Sequence, residues 1–362
     1  MKIQSRPYVH SPRSASVASP EPTDERGVLG QLERHFDSWD ANHNGQIAWS
    51  EIRQRMASHD CEKDEAVALA TLYGLVNYDT EYRGMMRKSP VTYNRLYDLY
   101  YDYTDGDDKP IADTLHQKYQ AKLVNSTDDL FPDVLPNGFL GNQGSAPSCG
   151  FLAATFSQLI KNPSAVKSAI QKTDDGRVEV QFPGLEKSVT IDPVTDTEQA
   201  LFASAGWNGN WLTTLEKAWG THLADGDQLR AFEMDTNPED AIVAWTDGKA
   251  TTARVPKNPK PTPKGELPEY LRTVSRELAA NHVVVAWTRF EGLTEQGLVP
   301  GHAYTLNGVD HEDGTVSLRN PWGRLEPTNK DGQVADGYDD GVFEFSIDDF
   351  QKNFQKIARQ TD

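Results

Sequence analysis

The chain has 362 residues, enough for two or three modest domains with a sizeable core. It carries 54 acidic against 36 basic side chains, a net charge of −18, which excludes nonspecific attraction to nucleic acid or an anionic membrane and suits cation binding. Two cysteines, Cys61 and Cys149, exclude a disulfide framework but permit one functional thiol.

No stretch reads as a membrane span or as the apolar block of a secretory signal, so the expected location is cytoplasmic, with signal-less export left open. Residues 1–27 are rich in Ser, Pro and Arg and poor in apolar groups, and are expected to form a disordered arm: a targeting address or a plain tail. A helix follows with Leu29, Leu32, Phe36 and Trp39 on one face. It runs into Asp40–Glu51, whose spacing is that of the twelve-residue EF-hand calcium loop. Asp40, Asn42 and Asn44 offer side-chain oxygens at positions 1, 3 and 5. Gly45 supplies the turn at 6, Gln46 a backbone carbonyl at 7, and Glu51 a bidentate carboxylate at 12. Two carboxylates predict a modest affinity for Ca2+, and Ala48 at position 9 leaves that ligand to water. EF-hands pair through position 8, here Ile47. A partner is expected at Asp79–Pro90, with Arg83 and Pro90 where ligands belong, hence without metal; a chance resemblance is the alternative. Pro90 instead reads as the first residue of a helix through Tyr93, Leu96, Tyr97 and Tyr100. Thr104–Asp108 reads as a solvated acidic turn.

The stretch Asn142–Phe156 reads as a Gly- and Pro-marked loop entering an amphipathic helix with Leu152, Phe156, Leu159 and Ile160 in phase. Ser148 is the expected cap and Cys149 the first helical residue, where the helix dipole favours thiolate. Gln143 is placed to join the Cys149 N–H in binding an oxyanion. Short strands are predicted at Val178–Phe182 and Val189–Ile191, a helix from Trp211 to Trp219, an exposed connector over Pro256–Gly265, a helix through Leu271, Val274 and Leu278, and a buried strand at Val283–Trp287.

Gly301–Leu306 and Thr315–Asn320 alternate like strands, with Asp313-Gly314 as a hairpin signal between them. That hairpin brings His302 and Asn320 to one end. The Asn carbonyl would then fix the imidazole tautomer and leave the other nitrogen for a thiol. Trp322 is placed to keep water from that contact. The order Gln, Cys, His, Asn is that of papain-like enzymes.

Residues from about Phe139 to Ile357 resemble the catalytic domain of calpains, the calcium-dependent cysteine proteases. The matching stretches are Asn142-Gln-Gly, Cys149 with Phe151-Leu-Ala-Ala, Leu215-Glu-Lys-Ala, Gly301-His-Ala-Tyr, Arg319-Asn-Pro-Trp-Gly and Asp340-Gly-Val-Phe. The resemblance implies an α+β, papain-like fold: a helical lobe with Cys149 (129–225) and an antiparallel β lobe with His302 and Asn320 (226–362), preceded by a helical EF-hand region (28–128). It implies a calcium-dependent endopeptidase acting on protein substrates, with Cys149 as nucleophile, His302 as base and acid, Asn320 as orienter and Gln143 in the oxyanion hole. The oligomeric state stays open. The family's Asp-Cys-Trp is replaced here by Ser148-Cys149-Gly150, which bears on rate and preference. Two other readings use the same residues: a transglutaminase-like acyl transferase, against which Asn320 in place of Asp counts, and a non-catalytic calcium-binding adaptor.

Overall fold

The computed structural model describes residues 27–83, 88–132, 136, 141–234, 236–257, 265–328 and 331–361. The arm 1–26, most of the 256–265 connector and Phe139 lie outside the described residues.

The N-terminal part consists of α1 (Gly27–Trp39), β1 (Gln46–Ile47), α2 (Trp49–Met56), α3 (Lys63–Tyr82), β2 (Val91–Thr92), α4 (Tyr93–Tyr101) and α5 (Ile111–Val124). The apolar stripe of α1 turns inward as its spacing demands, burying Leu29, Leu32, Phe36 and Trp39. The chain reverses through Asp40–Gly45, where Gly45 takes a φ of 82°. β1 then pairs with β2 antiparallel, Ile47 opposite Val91.

That register corrects the expected partner loop. Asp79 lies inside α3, not at the head of a loop, and the residue facing Ile47 comes five positions after Met86. The cause is electrostatic. Asp79 is buried and accepts from Arg83 Nε (2.5 Å), Tyr103 Oη (2.5 Å) and Arg95 Nη2 (2.7 Å), so it completes the end of the helix. Pro90 does not open a helix either. α4 starts at Tyr93, with the Thr92 hydroxyl accepting from Arg95 N. Its tyrosine stripe is half-exposed, and Leu96 and Leu99 carry the burial. The acidic turn is ordered: Asp105 accepts from the Asp107 and Lys109 amides and from the Thr114 hydroxyl.

The next lobe contains α6 (Cys149–Lys161), α7 (Pro163–Ser168), a three-stranded antiparallel sheet of β3 (Ile170–Lys172), β4 (Val178–Val180) and β5 (Val189–Ile191), then α8 (Asp196–Leu201), α9 (Trp211–Leu223) and α10 (Pro238–Thr246). Phe151 of α6 stacks on Trp219 of α9 at 5.2 Å and 7°. Trp245 of α10 donates to Thr155 Oγ1 at 2.9 Å, so α10 belongs with α6 although it follows residue 226.

The last lobe is a six-stranded antiparallel sheet in the order β10-β9-β8-β7-β11-β6. Its strands are β6 (Lys249–Arg254), β7 (Val284–Thr288), β8 (Ala303–Asp310), β9 (Thr315–Arg319), β10 (Val342–Ser346) and β11 (Phe354–Thr361), with α11 (Glu269–Ala279) and α12 (Ile347–Asn353) packed on it. One continuous apolar core joins the N-terminal helices to the Cys149 lobe, and a second fills the space between the sheet, α11 and α12. Among the described residues no helix is long and apolar enough to cross a membrane.

Removing Arg95 leaves the buried Asp79 carboxylate short of one charged donor. Arg95→Ala is expected to destabilise the chain by about 1–3 kcal/mol in urea unfolding, and no change would mean that Arg83 and Tyr103 suffice.

Candidate active site

Cys149 is the first residue of α6, as expected, and its side chain is half-buried. Ser148 does not cap the helix. Its φ and ψ are −105° and 13°, and its hydroxyl donates to Glu216 of α9 instead. Glu216 is fully buried, and a buried carboxylate needs donors; the Ser148 hydroxyl and the Ala203 amide supply them. Lys122 of α5 donates to the Ala200 (3.1 Å) and Phe202 carbonyls. Burial raises the Glu216 carboxyl and lowers the Lys122 ammonium, and their mutual attraction opposes both shifts.

The loop ahead of α6 is clamped between the lobes. Gln143 N donates to Pro321 O at 2.8 Å, and Asn142 exchanges two 2.9 Å backbone bonds with Ser204. Arg319 Nη2 donates to Gly141 O at 2.6 Å while its guanidinium lies 4.1 Å from the Phe156 ring centroid. A Cβ at Gly144 would sit 2.0 Å from Leu201 O, so only glycine allows this approach. One N–H of the Gln143 amide goes to Ala146 O at 2.8 Å. The amide has a second N–H, which remains for a ligand.

β8 and β9 form the expected hairpin, with Asp310 opposite Thr315 and Thr305 opposite Arg319. His302 precedes β8 and Asn320 follows β9, so both fall at one end. His302 Nε2 lies 3.0 Å from Asn320 Oδ1, which also accepts from Trp322 N at 3.0 Å. The Asn320 NH2 is spent on the Arg324 (2.8 Å) and Leu325 (3.2 Å) carbonyls. These partners make Nε2 the protonated nitrogen and leave the Nδ1 lone pair as the base. The imidazole sits between Trp322 (centroids 5.0 Å, 59°) and Tyr304 (5.1 Å, 89°). Burial pushes its pKa down to about 4, partly offset by the Asn320 bond, so His302 is neutral near pH 7.

The helix and the hairpin meet directly. Thr305 Oγ1 of β8 donates to Ala153 O of α6 at 2.8 Å, and Val284 N of β7 to Ser157 Oγ at 3.2 Å. α6 and β8 therefore advance in the same sense, which brings the start of the helix and the start of the strand to one end. At position 150, where the resemblance expects Trp, a Cβ would already sit 2.7 Å from Thr236 O. Backbone fills the space that an indole would need.

Lys122 was not singled out from the sequence, and Glu216, Arg319 and Tyr304 appeared there only within the family-matching stretches, with no role given. A further signal was charge within an apolar run: Glu216 follows Leu212 and Leu215 on a buried helix.

In the N-terminal helix pair, Asp40 and Glu51 are buried carboxylates. Asp40 accepts from the Asn44 (3.1 Å) and Gly45 (2.7 Å) amides. Glu51 reaches back from α2 to Asn42 N (3.2 Å), Asn42 Nδ2 (2.8 Å) and Ala48 N (2.7 Å). The twelfth residue of the loop thus closes on the third by accepting from its backbone and side-chain amides, and N–H donors of the loop itself occupy both Glu51 oxygens. Among the described residues no cluster of three or more His, Cys, Asp or Glu is placed to hold a metal. This loop brings only two carboxylates.

An antiparallel sheet presenting His and Asn to a cysteine at a helix start defines the class of papain-like cysteine proteases. The chain belongs to the calpain family: the family model described as calpain family cysteine protease matches residues 137–359. It is 29% identical over 150 residues to calpain-14 of Homo sapiens, covering 38% of this chain and 20% of that one. It is 28% identical over 255 residues to calpain-8 of Mus musculus, covering 59% and 34%. With the calpain-2 catalytic subunit of Rattus norvegicus the identity is 26% over 253 residues, again covering 59% and 34%. The chain thus spans about a third or less of the length of these curated relatives. The expected α+β core is borne out, and the N-terminal helices lie ahead of the matched stretch.

Two outcomes follow from the site. Burial raises the Cys61 thiol to about 11, so iodoacetamide at pH 7 is expected to label the half-buried Cys149 faster than Cys61; equal slow labelling would count against an activated Cys149. The second concerns acid. The unfolded His takes a proton near pH 6.5 and the folded one near 4, so His302 contributes stability above that window and loses it as pH falls through it. The full loss is about 3 kcal/mol. His302→Gln should show a correspondingly shallower loss in urea unfolding between pH 7 and 4.5, and parallel losses would mean that the imidazole is not held neutral.

Proposed function

We propose that this chain is a calcium-linked cysteine endopeptidase that hydrolyses protein substrates through a thiol acyl-enzyme. The observation that carries the reading is the 3.0 Å His302–Asn320 bond beside Trp322, at the same end as a cysteine in the first position of α6. His302 Nδ1 takes the Cys149 thiol proton, and the sulfur attacks the substrate carbonyl carbon. The free Gln143 N–H and the Cys149 N–H receive the oxyanion. The imidazolium, held by Asn320, protonates the leaving amine as the C–N bond breaks. His302 then deprotonates water, whose attack on the thioester releases the acid and restores the thiol. Asn320 as orienter favours hydrolysis over amine transfer.

Asp40, Asn42, Asn44, the Gln46 carbonyl and Glu51 would hold one Ca2+, which when bound supplies charge neutralisation and ties the end of α1 to the start of α2. Residues 28–128 serve as the calcium-binding region, 129–225 together with α10 as the nucleophile lobe, and the remainder of 226–362 as the His/Asn lobe. The acidic surface argues against nucleic acid as a partner, and the cytoplasm is the compartment in which a lone functional thiol persists.

The test is cleavage of an unfolded protein with calcium and with chelator. Wild type is expected to cut faster with calcium, Cys149→Ala not at all, and Gln143→Ala about 10²–10³ more slowly in kcat. Intact substrate with every protein would leave the adaptor reading. Glu51→Gln should weaken calcium binding in calorimetry by at least about tenfold, and an unchanged affinity would remove the loop from the ligand set.

A further inference from the structure

A cavity of about 800 Å³ adjoins the catalytic residues. It is lined by the Gln143–Pro147 loop, Trp322 and Phe232–Met234. It is lined as well by Trp49 of α2, Tyr73 and Asn77 of α3, and Lys88, all ahead of the stretch that matches the calpain family. The N-terminal helix pair therefore builds half of a recess that opens beside the oxyanion donor.

The side of the scissile bond follows from the chemistry. The carbonyl oxygen points at Gln143, and the leaving amine must reach His302, against which Trp322 packs. Chain that continues beyond the leaving nitrogen runs past Trp322, which is the cavity's edge.

Trp49 links this recess to the calcium loop, because it is the tenth residue of Asp40–Glu51. Its indole N–H donates to Glu233 Oε1 at 3.2 Å, and Arg53, one turn later, donates to the same oxygen at 2.7 Å. The Tyr73 ring lies 5.2 Å away and the Lys88 ammonium 3.7 Å from the indole centroid. Glu51, two residues on, is the loop's closing carboxylate, so Trp49 and Glu51 share the first turn of α2. A shift of one carries the other.

We propose that this cavity binds the polypeptide that follows the scissile bond, seating an apolar or aromatic side chain against Trp49, which the buried Tyr73 backs, and that cation binding at Asp40–Glu51 and peptide binding here favour each other. The inference rests on the proteolytic reading above. Coupling of this kind is reciprocal, and a factor of about five or more is typical.

The test uses the full chain and two peptides with the same residues before the cut. One ends there in an aminocoumarin amide, and the other continues for four residues beginning with Phe. Trp49→Ala is expected to lower the kcat/KM ratio of extended over coumarin peptide about tenfold, mainly through KM, with Trp49→Leu in between (about 1.4 kcal/mol for the full change). Coumarin turnover reports that each variant is folded. In Cys149→Ala, saturating extended peptide should tighten calcium binding about fivefold in calorimetry, and Trp49→Ala should abolish that gain. An unchanged ratio, or one calcium affinity with and without peptide, overturns the inference while leaving the protease standing. Cleavage of neither peptide by wild type removes both.

Discussion

The docking of α6 on β8 is the contact on which the remaining arrangement depends. A thiol at a helix start and an imidazole on a sheet come from segments more than 150 residues apart, and nothing local holds them together. The Thr305–Ala153 and Val284–Ser157 bonds set the helix on the sheet, and the Phe151–Trp219 stack holds its other face. Because the helix and the strand run in the same sense, their starting residues share one end. The Gln143–Pro321 and Arg319–Gly141 bonds then place the loop ahead of α6 across the same junction.

Buried charge is used for placement. Glu216 accepts from Ser148 and Ala203, and so ties the residue before Cys149 to the α8–α9 connection. Lys122 brings α5 to the same place, with its ammonium capping the carbonyls at the end of α8. Breaking such a network costs more than its parts, because each buried group left behind is unpaired. Lys217 and Glu198, 2.8 Å apart and buried, do the same for α8 and α9, and the Thr195 hydroxyl in that cap donates to Met56 O of α2 at 2.6 Å. The N-terminal helices are thus bonded into the protease lobe, not tethered to it.

The two helix–loop–helix units of that region differ in what occupies the place of a ligand. In the first, the residue four after Ile47 is Glu51, a carboxylate. In the second, the residue four after Val91 is Arg95, whose guanidinium donates to the Pro90 (2.9 Å) and Ser89 carbonyls and to Asp79. A side-chain cation stands where the first unit presents an acid, and the β1–β2 pair holds the two together.

Much of this was legible in the sequence because it is local. The twelve-residue loop, Cys149 at a helix start, and the alternation that pairs His302 with Asn320 each depend on spacing within a few residues, and spacing is what a sequence records. The family resemblance joined these pieces in order. The register of the second loop was not legible, since Asp79 fits a loop head by pattern and leaves it only because Arg95 and Tyr103, far along the chain, satisfy it within the helix. Ser148 has the composition of a cap, but the buried Glu216 claims its hydroxyl. Gly150 reads as a lost tryptophan until Thr236 is seen to fill the space. In each case a long-range partner competed with a local preference and won, because a buried charge or a backbone clash outweighs the contribution of one cap. The sequence by itself determined which residues stand as candidates for the chemistry, because their spacing is local; tertiary structure decided what each is bonded to, and that residues of the N-terminal helices line the recess beside them.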